Sequence, residues 1–147
     1  MFYMEFLLQV SSKNNKIYNV EIKETIHNFY ECSIVNDKNL SMGMLTFKLE
    51  KPSIWIYSIS VDEAFQNQGL GQALLDALEY IAIEKNCTKI QGKFYPSNKY
   101  AKPFYTKNNY LIIKDYYETF IYKWLDYKKV TARLKNVIIE NQSIIDN

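Results

Sequence analysis

VDEAFQNQGLG, residues 61–71, is the stretch at which the hydrophobic pattern of the chain changes. Before it, residues 54–61 are apolar or aromatic at nearly every position, which predicts a central strand buried on both faces. After it, apolar residues recur at helical spacing from Gly69 to about Lys85, with Asn86 suited to a left-handed helix stop. Lys89–Phe94 predicts a second strand, parallel to the first and joined to it by a right-handed crossover.

The glycines between this strand and this helix indicate an anion site. The first turn of a helix carries unpaired amide hydrogens and the positive end of the helix dipole. Gly69 and Gly71 let a bulky anion approach the backbone, so the turn can hold a pyrophosphate without basic side chains. The spacing alone leaves an ordinary strand-to-helix turn open. It lacks the Lys-Ser/Thr ending of a nucleoside-triphosphate loop and the third glycine of the dinucleotide fingerprint.

Strands dominate the sequence before residue 61. Alternating or continuous apolar residues predict strands at 18–22, 29–35 and 42–49, and a weaker one at 5–10. His27 and Asn28 form the tight turn that separates the first two of these strands. We find no helical period in this part of the chain.

The second half of the chain predicts a short helix, a hairpin and a terminal helix. The short helix begins near Ser97 or at Pro103, where a first helical residue needs no amide hydrogen, and ends near Asn108. The hairpin pairs residues 111–114 with 119–125. Residues 126–147 predict a C-terminal helical extension that presents an apolar face, formed by Val130, Leu134, Val137 and Ile138. Both tryptophans, Trp55 and Trp124, are interpreted as core aromatics.

Composition limits the class of protein. The chain has 147 residues and a net charge of +2, which predicts a single domain, 1–147, and argues against a nucleic-acid partner. We expect neither a membrane span nor a signal peptide, because no apolar run approaches about 20 residues and the N-terminus has no basic leader. Cys32 and Cys87 predict reduced thiols in a cytoplasmic protein, and a single histidine, His27, predicts no metal site.

Two motifs give the chain a family resemblance. Gln66-Asn67-Gln68-Gly69-Leu70-Gly71 resembles the Gln/Arg-x-x-Gly-x-Gly/Ala signature of the GNAT superfamily of N-acetyltransferases. Residues 101–110, AKPFYTKNNY, resemble its Ala-x-Pro-Phe-Tyr-x-Lys-x-Gly-Phe segment, and Asn98 stands where the family often has asparagine. The resemblance covers residues 54–125. It implies an α/β fold of the α+β type, with helices flanking a mixed, largely antiparallel sheet that contains a parallel, splayed strand pair.

The resemblance also implies an activity and a co-substrate. The chain would transfer an acetyl group from acetyl-coenzyme A to a primary amine of a protein or small molecule, by direct attack in a ternary complex. The coenzyme A pyrophosphate would lie on a loop and first helical turn formed by Gln66, Asn67, Gln68, Gly69, Leu70, Gly71 and Gln72. The pantetheine arm would pair with the strand end Ile59, Ser60 and Val61, one of whose amides would polarise the thioester carbonyl.

The resemblance assigns roles to two further side chains. Asn98 would contact the pantetheine or the thiol end of the co-substrate. Tyr105 would protonate the departing thiolate, since a phenol pKa of about 10 lies near a thiol pKa of about 8.5.

Two features depart from the family pattern. The pair of helices that usually separates the first two strands, and walls the acceptor site, has no counterpart before residue 61. No carboxylate lies in residues 54–61 to act as general base, which leaves open a water held by Tyr57 and Ser58, the side chains of Glu118 or His27, or an amine that arrives neutral. A non-catalytic acyl-coenzyme A or protein-interaction module therefore stays an alternative, and a homodimer stays open.

Overall fold

A computed structural model describes residues 4–12, 15–115 and 117–145. These residues form one sheet and three α-helices, α1 (Leu70–Glu84), α2 (Ala101–Lys107) and α3 (Tyr127–Val137). The strands are β1 (Met4–Ser11), β2 (Ile17–Ile26), β3 (Phe29–Val35), β4 (Ser41–Glu50), β5 (Ser53–Val61), β6 (Lys89–Phe94), β7 (Leu111–Lys114), β8 (Thr119–Trp124) and β9 (Ile138–Ile145).

The sheet is mixed and largely antiparallel. Its nine described strands lie in the order β7-β8-β6-β5-β4-β3-β2-β1-β9. Among them only β5 and β6 run parallel, and α1 makes the crossover between these two strands. The architecture predicted from the sequence is confirmed.

The first five strands follow one another without a helix in the described residues. The chain passes from β2 to β3 through a turn at residues 27–28, where Asn28 adopts a left-handed φ of 69°. Asparagine tolerates this conformation because its short polar side chain can bond locally. Among the described residues, no helix separates β1 from β2, the position at which the sequence departs from the family pattern.

One face of the sheet carries the core. Alternate residues of β2, β3 and β4 are buried, and they meet the apolar face of α1, of which Leu74, Leu75 and Leu78 are fully buried. Asn86, at φ 60°, follows the end of α1 as predicted. Helix α3 packs against α1 and the β1 and β9 edge with Val130 and Leu134, so it lies on the covered face.

Two expectations about local structure are wrong. The C-terminal helical extension ends at Val137, and residues 138–145 form β9, which pairs antiparallel with β1. The run Val137, Ile138 and Ile139 satisfies a helical spacing, but β-branched residues favour a strand once a partner edge is available. Pro103 is the third residue of α2 rather than the first. Amides in the first turn of a helix have no intrahelical acceptor, so proline costs no hydrogen bond at this position.

Two predictions of burial are also wrong. Trp124 is 62% exposed rather than part of the core, and Trp55 is only half-buried. In β5, burial holds for Ser53–Ile56 but not beyond, because Tyr57 and Ser58 are exposed. No helix of the described part of the chain is both long and apolar enough to cross a membrane.

Candidate active site

The parallel strands β5 and β6 separate halfway along β5. Their register pairs Ser53 with Lys89 and continues as far as Ile56 opposite Gly92, where the pairing stops. Strand β5 then runs on to Val61 without a partner on that side. A Cβ at Gly92 would lie only 3.0 Å from the Ile56 carbonyl oxygen, so the two strands leave no room for a side chain just before they part. A cleft opens beyond this point.

A bulge in β5 coincides with the separation. Thr46 of β4 pairs with Ser58, whereas Phe47 pairs with Ile56, so Tyr57 is an extra residue. The hydroxyls of Thr46 and Ser58 lie 2.6 Å apart, in an exposed contact between the two strands just beyond the bulge. A bulge bends a strand and increases its twist, which turns the end of β5 away from β6.

The backbone of β5 beyond the bulge offers hydrogen-bonding groups to the cleft. The amide of Asp62 donates to the Met42 carbonyl of β4 over 2.9 Å. Because bonded and non-bonded pairs alternate along an antiparallel ladder, Ser60 and Ser58 also point their backbone groups at β4. The amides and carbonyls of Ile59 and Val61 then point away from β4, into the gap that β6 leaves.

The cleft has a volume of about 610 Å³. It is lined by the ends of β5 and β6, the loop before α1, the first turn of α1, and α2. Eleven of the twelve residues that the sequence assigns to the site lie on its wall: Ile59, Ser60, Val61, Gln66, Asn67, Gly69, Leu70, Gly71, Gln72, Asn98 and Tyr105.

The loop before α1 ends in backbone that leaves amides unpaired. Gly69 is the N-cap of α1 at φ 82°, a left-handed conformation that suits glycine, and no side chain caps the helix. The first helical bond runs from the Ala73 amide to the Gly69 carbonyl. The amides of Leu70, Gly71 and Gln72 have no acceptor among the described residues, and they form the positive end of the helix dipole.

Gln68 is the one assigned residue that does not line the cleft. Its carbonyl accepts a hydrogen bond from the Tyr18 hydroxyl over 2.6 Å, and its side-chain oxygen accepts one from Lys16 over 3.2 Å. These contacts fasten the loop to β2. Gln68 therefore positions the loop and does not face the cleft.

Close packing explains why residue 71 has no side chain. A Cβ at Gly71 would lie 3.0 Å from Cε1 of Phe104 on α2. The first turn of α1 and α2 therefore meet through the Gly71 backbone and the Phe104 ring. Phe104 is only half-buried and lines the cleft, so it closes one side of the site.

Tyr105 is fixed by aromatic neighbours at the inner end of the cleft. Its ring stacks on Phe94 with centroids 6.1 Å apart, and it makes edge contacts with Phe104 and Tyr110 at 5.3 and 5.4 Å. The side chain is 5% exposed, and burial raises the pKa of its phenol to about 12. The hydroxyl is therefore protonated throughout the physiological range.

Asn98 lies at the mouth of the cleft and shapes the loop that leads to α2. Its side-chain oxygen accepts a hydrogen bond from the Tyr100 amide over 3.2 Å, and its carbonyl accepts one from the Ala101 amide over 3.3 Å. The residue thus holds the approach to the helix that carries Tyr105.

The structure divides the sequence-based candidates for a general base into residues that line the cleft and residues that do not. Tyr57 and Ser58 line the cleft, whereas Glu118 and His27 do not. Glu118 is exposed and pairs with Lys93 at 3.0 Å, and His27 is an exposed turn residue. The described cleft wall contains lysines, Lys93 and Lys107, and no carboxylate. No cluster of metal ligands occurs in the described residues.

A network of charged side chains connects the two helices that line the cleft with α3 and β8. Asp76 and Glu79 of α1 are buried, and Arg133 of α3 donates hydrogen bonds to both. Lys123 of β8 donates to Glu79 over 2.7 Å and to the Asn108 carbonyl at the end of α2 over 3.1 Å. Gln72 donates to Asp76 over 3.1 Å, so this network joins the first turn of α1 to the end of α2.

Sequence reasoning missed three kinds of cleft residue. Tyr95 and Tyr100 belong to the loop after β6, and Lys107 to the end of α2. Lys93 could have been found, because strand alternation from Ile90 and Gly92 places it on the face opposite the core. The two tyrosines carry no pattern of their own in a chain with 13 tyrosines.

The sequence and the fold both have relatives. The sequence model described as "Acetyltransferase (GNAT) family" matches residues 5–110. An uncharacterized protein YxbD of Bacillus subtilis (strain 168) is 34% identical over 77 residues, which are 52% of this chain and 47% of that protein. The chain thus matches about half the length of this curated relative.

Solved structures share the fold at low identity. A GNAT-family acetyltransferase of Staphylococcus aureus Mu50 has a TM-score of 0.62 at 20% identity, over 67% of this chain and 69% of that one. The PaiA N-acetyltransferase of Thermoplasma acidophilum, solved in complex with coenzyme A, has a TM-score of 0.62 at 16% identity, over 67% and 62% of the two chains.

Proposed function

Because this chain belongs to the GNAT family of acetyltransferases, we propose that it transfers an acetyl group from acetyl-coenzyme A to a primary amine. The observation that carries the proposal is the gap between β5 and β6, which begins at Ile56 and Gly92 and leads to the unpaired amides at the start of α1. A family that uses an acyl-coenzyme A needs both an anion cradle and a slot for a long thioester arm.

The residues present fit the anionic end of coenzyme A. The amides of Leu70, Gly71 and Gln72 would hold the pyrophosphate, because unpaired helix-start amides favour an anion. Gly71 packs against the Phe104 ring, which leaves no room for a side chain at position 71. Gln66 and Asn67 would line the same site, and Gln68 would keep the loop attached to Tyr18.

The residues of the slot fit the rest of the co-substrate. The backbone groups of Ile59 and Val61 would pair with the amides of the pantetheine arm, as a missing strand would. Asn98 would meet the arm at the cleft mouth. An amide at the end of β5 would donate to the thioester oxygen, where negative charge develops during attack.

Tyr105 would supply the proton that the sulfur takes. The reaction forms a carbon–nitrogen bond and breaks a carbon–sulfur bond, while the amine loses one proton and the sulfur gains one. Burial raises the phenol pKa to about 12, and the same environment raises the pKa of a thiol, as it does for Cys32 in the core. Burial would raise the pKa of the Tyr105 phenol and the pKa of the coenzyme A thiol together. The difference between them, which permits proton transfer at their usual values, is therefore kept.

The amine would lose its proton without a dedicated carboxylate. The described cleft wall contains none, whereas Tyr57 and Ser58 stand at the bulge where an attacking amine would approach. We propose that an amine already neutral, or a water held by these hydroxyls, completes the reaction. Cys32 and Cys87 are free and buried, and neither lines the cleft, which supports direct transfer to the amine.

The same lack of a carboxylate favours a second candidate, a non-catalytic module that binds an acyl-coenzyme A. Calorimetry with coenzyme A and a thiol-release assay with acetyl-coenzyme A and a panel of primary amines separate the two. Binding with amine-dependent thiol release supports the transferase. Binding without release from any amine supports the module, and no binding refutes both.

A further inference from the structure

On the sheet face opposite α1, no helix of the described residues covers the area from β5 to the β7 edge, where aromatic and aliphatic side chains predominate. The registers place Trp55, Gln91, Tyr122 and Leu111 side by side across four strands. In the neighbouring rows Lys89 lies beside Trp124, and Lys93 beside Phe120 and Ile113. We call this surface the open face; Leu111 is 61% exposed, Ile113 51% and Trp124 62%.

The open face carries one cation without an acidic partner. Lys89 lies over the rings of Tyr122 and Trp124 at 5.6 and 5.5 Å, and it makes no ion pair within the described residues. Lys93 pairs with the exposed Glu118. Lys89 is half-buried, and an ammonium held over two aromatic rings with no acidic partner is suited to a carboxylate whose neighbours are apolar.

The open face is continuous with the cleft. Tyr57, which is 54% exposed and stacks on Phe29 at 5.7 Å, lines the cleft at the bulge, and Lys93 lines it at the end of β6. The surface therefore runs without interruption from the predicted site of attack to the β7 edge. Three strand spacings separate β5 from β7, roughly 14 Å, which is about the length of four extended residues.

The charge of the cleft restricts the acceptor further. Its wall contains Lys93 and Lys107 and no carboxylate in the described residues. A polycation such as a polyamine would be repelled, since nothing neutralises its second charge. A molecule that fits has one amine, followed by neutral, apolar or acidic groups.

From these observations we propose that the open face is the acceptor-docking surface and that the acceptor is a polypeptide segment with a free amine followed by apolar and acidic side chains. The proposal rests on the transferase function proposed above. The amine would enter at Tyr57 and Ser58, apolar side chains would cover Trp124, and an acidic side chain would pair with Lys89. A small amine would reach only the cleft end of this surface.

Matched acceptors test the chemistry. We would compare a synthetic peptide with a free N-terminal amine and apolar and glutamate residues, the same peptide with lysine for glutamate, and spermidine. We expect kcat/KM in thiol release to be at least 10-fold higher for the first peptide than for either other acceptor. Preference for spermidine, or equal use of both peptides, would overturn the proposal while leaving acetyl transfer established.

Variants test the surface. Trp124→Ala should raise the KM for the glutamate peptide about 10-fold, with kcat and the Kd of coenzyme A unchanged. Lys89→Glu should reverse the preference between the two peptides. Leu40→Ala is the matched control, because Leu40 is 58% exposed but lies in the turn before β4. A Trp124→Ala enzyme with the KM of wild type would refute the docking surface.

Two further measurements distinguish acceptor docking from self-association, and failure of the docking surface from failure of the transferase proposal. Sedimentation velocity of wild type and Trp124→Ala would refute the proposal if the wild type is a dimer and the variant a monomer, since the open face would then bind a second copy. If coenzyme A binds but no amine is acetylated, calorimetric titration of the glutamate peptide into the coenzyme A complex decides. Binding that Trp124→Ala weakens supports the docking surface although the transferase proposal has failed, and absence of binding refutes both.

Discussion

The two halves of β5 have opposite surroundings. Ser53–Ile56 is paired on both sides, and Ile54 and Ile56 are buried in the core. Residues 58–61 are paired only with β4, and their other edge faces the cleft. One continuous strand thus stabilises the sheet with its first half, and with its second half it presents an edge that no described strand pairs with.

The change between the halves occurs at a single inserted residue. Tyr57 is the extra residue of the bulge, and Gly92 opposite Ile56 marks the last close approach of β6. The cleft therefore does not depend on a weak strand. It forms where the register of a strong strand changes and its pairing with the parallel strand stops.

The largest effect is expected in the paired half. Ile54→Ala removes a fully buried side chain between β4 and β6, and we expect a loss of about 2–5 kcal/mol in the free energy of unfolding. Ser60→Ala, in the open half, is the control and should stay within about 0.5 kcal/mol of wild type. Urea unfolding followed by circular dichroism measures both. Equal losses would show that the halves do not differ in this way.

The next effect concerns the cradle to which the open half leads. Gly71→Glu places a carboxylate at the positive start of α1 and a side chain against Phe104. We expect coenzyme A to bind at least about 100-fold more weakly, equivalent to about 2.7 kcal/mol. Thr131→Glu, on the exposed side of α3, adds the same charge away from the cleft and should bind normally in calorimetry. Unchanged affinity in Gly71→Glu would remove the cradle from the site.

A smaller effect is expected for the side chain at the inner end of the cleft. Tyr105→Phe should lower kcat about 100-fold, because it removes the proton donor, and should leave the Kd of coenzyme A within about 2-fold. Tyr110→Phe is the matched control, since the buried Tyr110 hydroxyl has no hydrogen-bond partner among the described residues. Full turnover in Tyr105→Phe would exclude this role.

The pH dependence sharpens the same assignment. Burial raises the Tyr105 pKa to about 12, so the acid form persists below that pH and is lost only above it. We expect kcat/KM to rise with pH between 7 and 10 as the acceptor amine loses its proton, without a fall caused by Tyr105. Tyr105→Phe should give a parallel profile at a lower level. A decline of the wild-type rate below pH 10 that the variant lacks would contradict the raised pKa.

The smallest effect is expected at the bulge itself. Ser58→Ala removes the exposed 2.6 Å contact with Thr46, and we expect the free energy of unfolding to change by less than about 0.5 kcal/mol. If Ser58 helps to hold a water for the amine, kcat falls by less than about 10-fold. Thermal unfolding and thiol release measure the two quantities. A large loss of stability would mean that this hydroxyl pair holds the two halves in register.

The sequence predicted the elements better than their surroundings. Periodicity placed α1 and the strands around it, and the glycine pair marked the turn at Gly69 and Gly71 where α1 begins with unpaired amides. Burial of β5 could not be read correctly, since 54–61 is apolar throughout and nothing in it marks Tyr57 as an inserted residue. Whether a strand face is covered depends on helices elsewhere in the chain, which is why Trp124 was wrongly assigned to the core.

The prediction of a helix up to the C-terminus was wrong for a related reason. Val130 and Leu134 do share the apolar face of a helix, and the same spacing continues through Val137 and Ile138. Local pattern cannot report that the edge of β1 is free to accept another strand, so β9 was not predicted. The base was left open by the sequence because the residues beside the bulge are hydroxyls rather than carboxylates.

Arg133 ties the stability of α1 to a helix near the end of the chain. Asp76 and Glu79 are buried on α1, and their cationic partners come later in the sequence, Lys123 on β8 and Arg133 on α3. Asp76 pairs with Arg133 alone among the described cations, so a chain cut before α3 would leave that carboxylate uncompensated in the interior, at a cost of several kcal/mol. Gln72 donates to the same carboxylate, so the loss would extend to the first turn of α1.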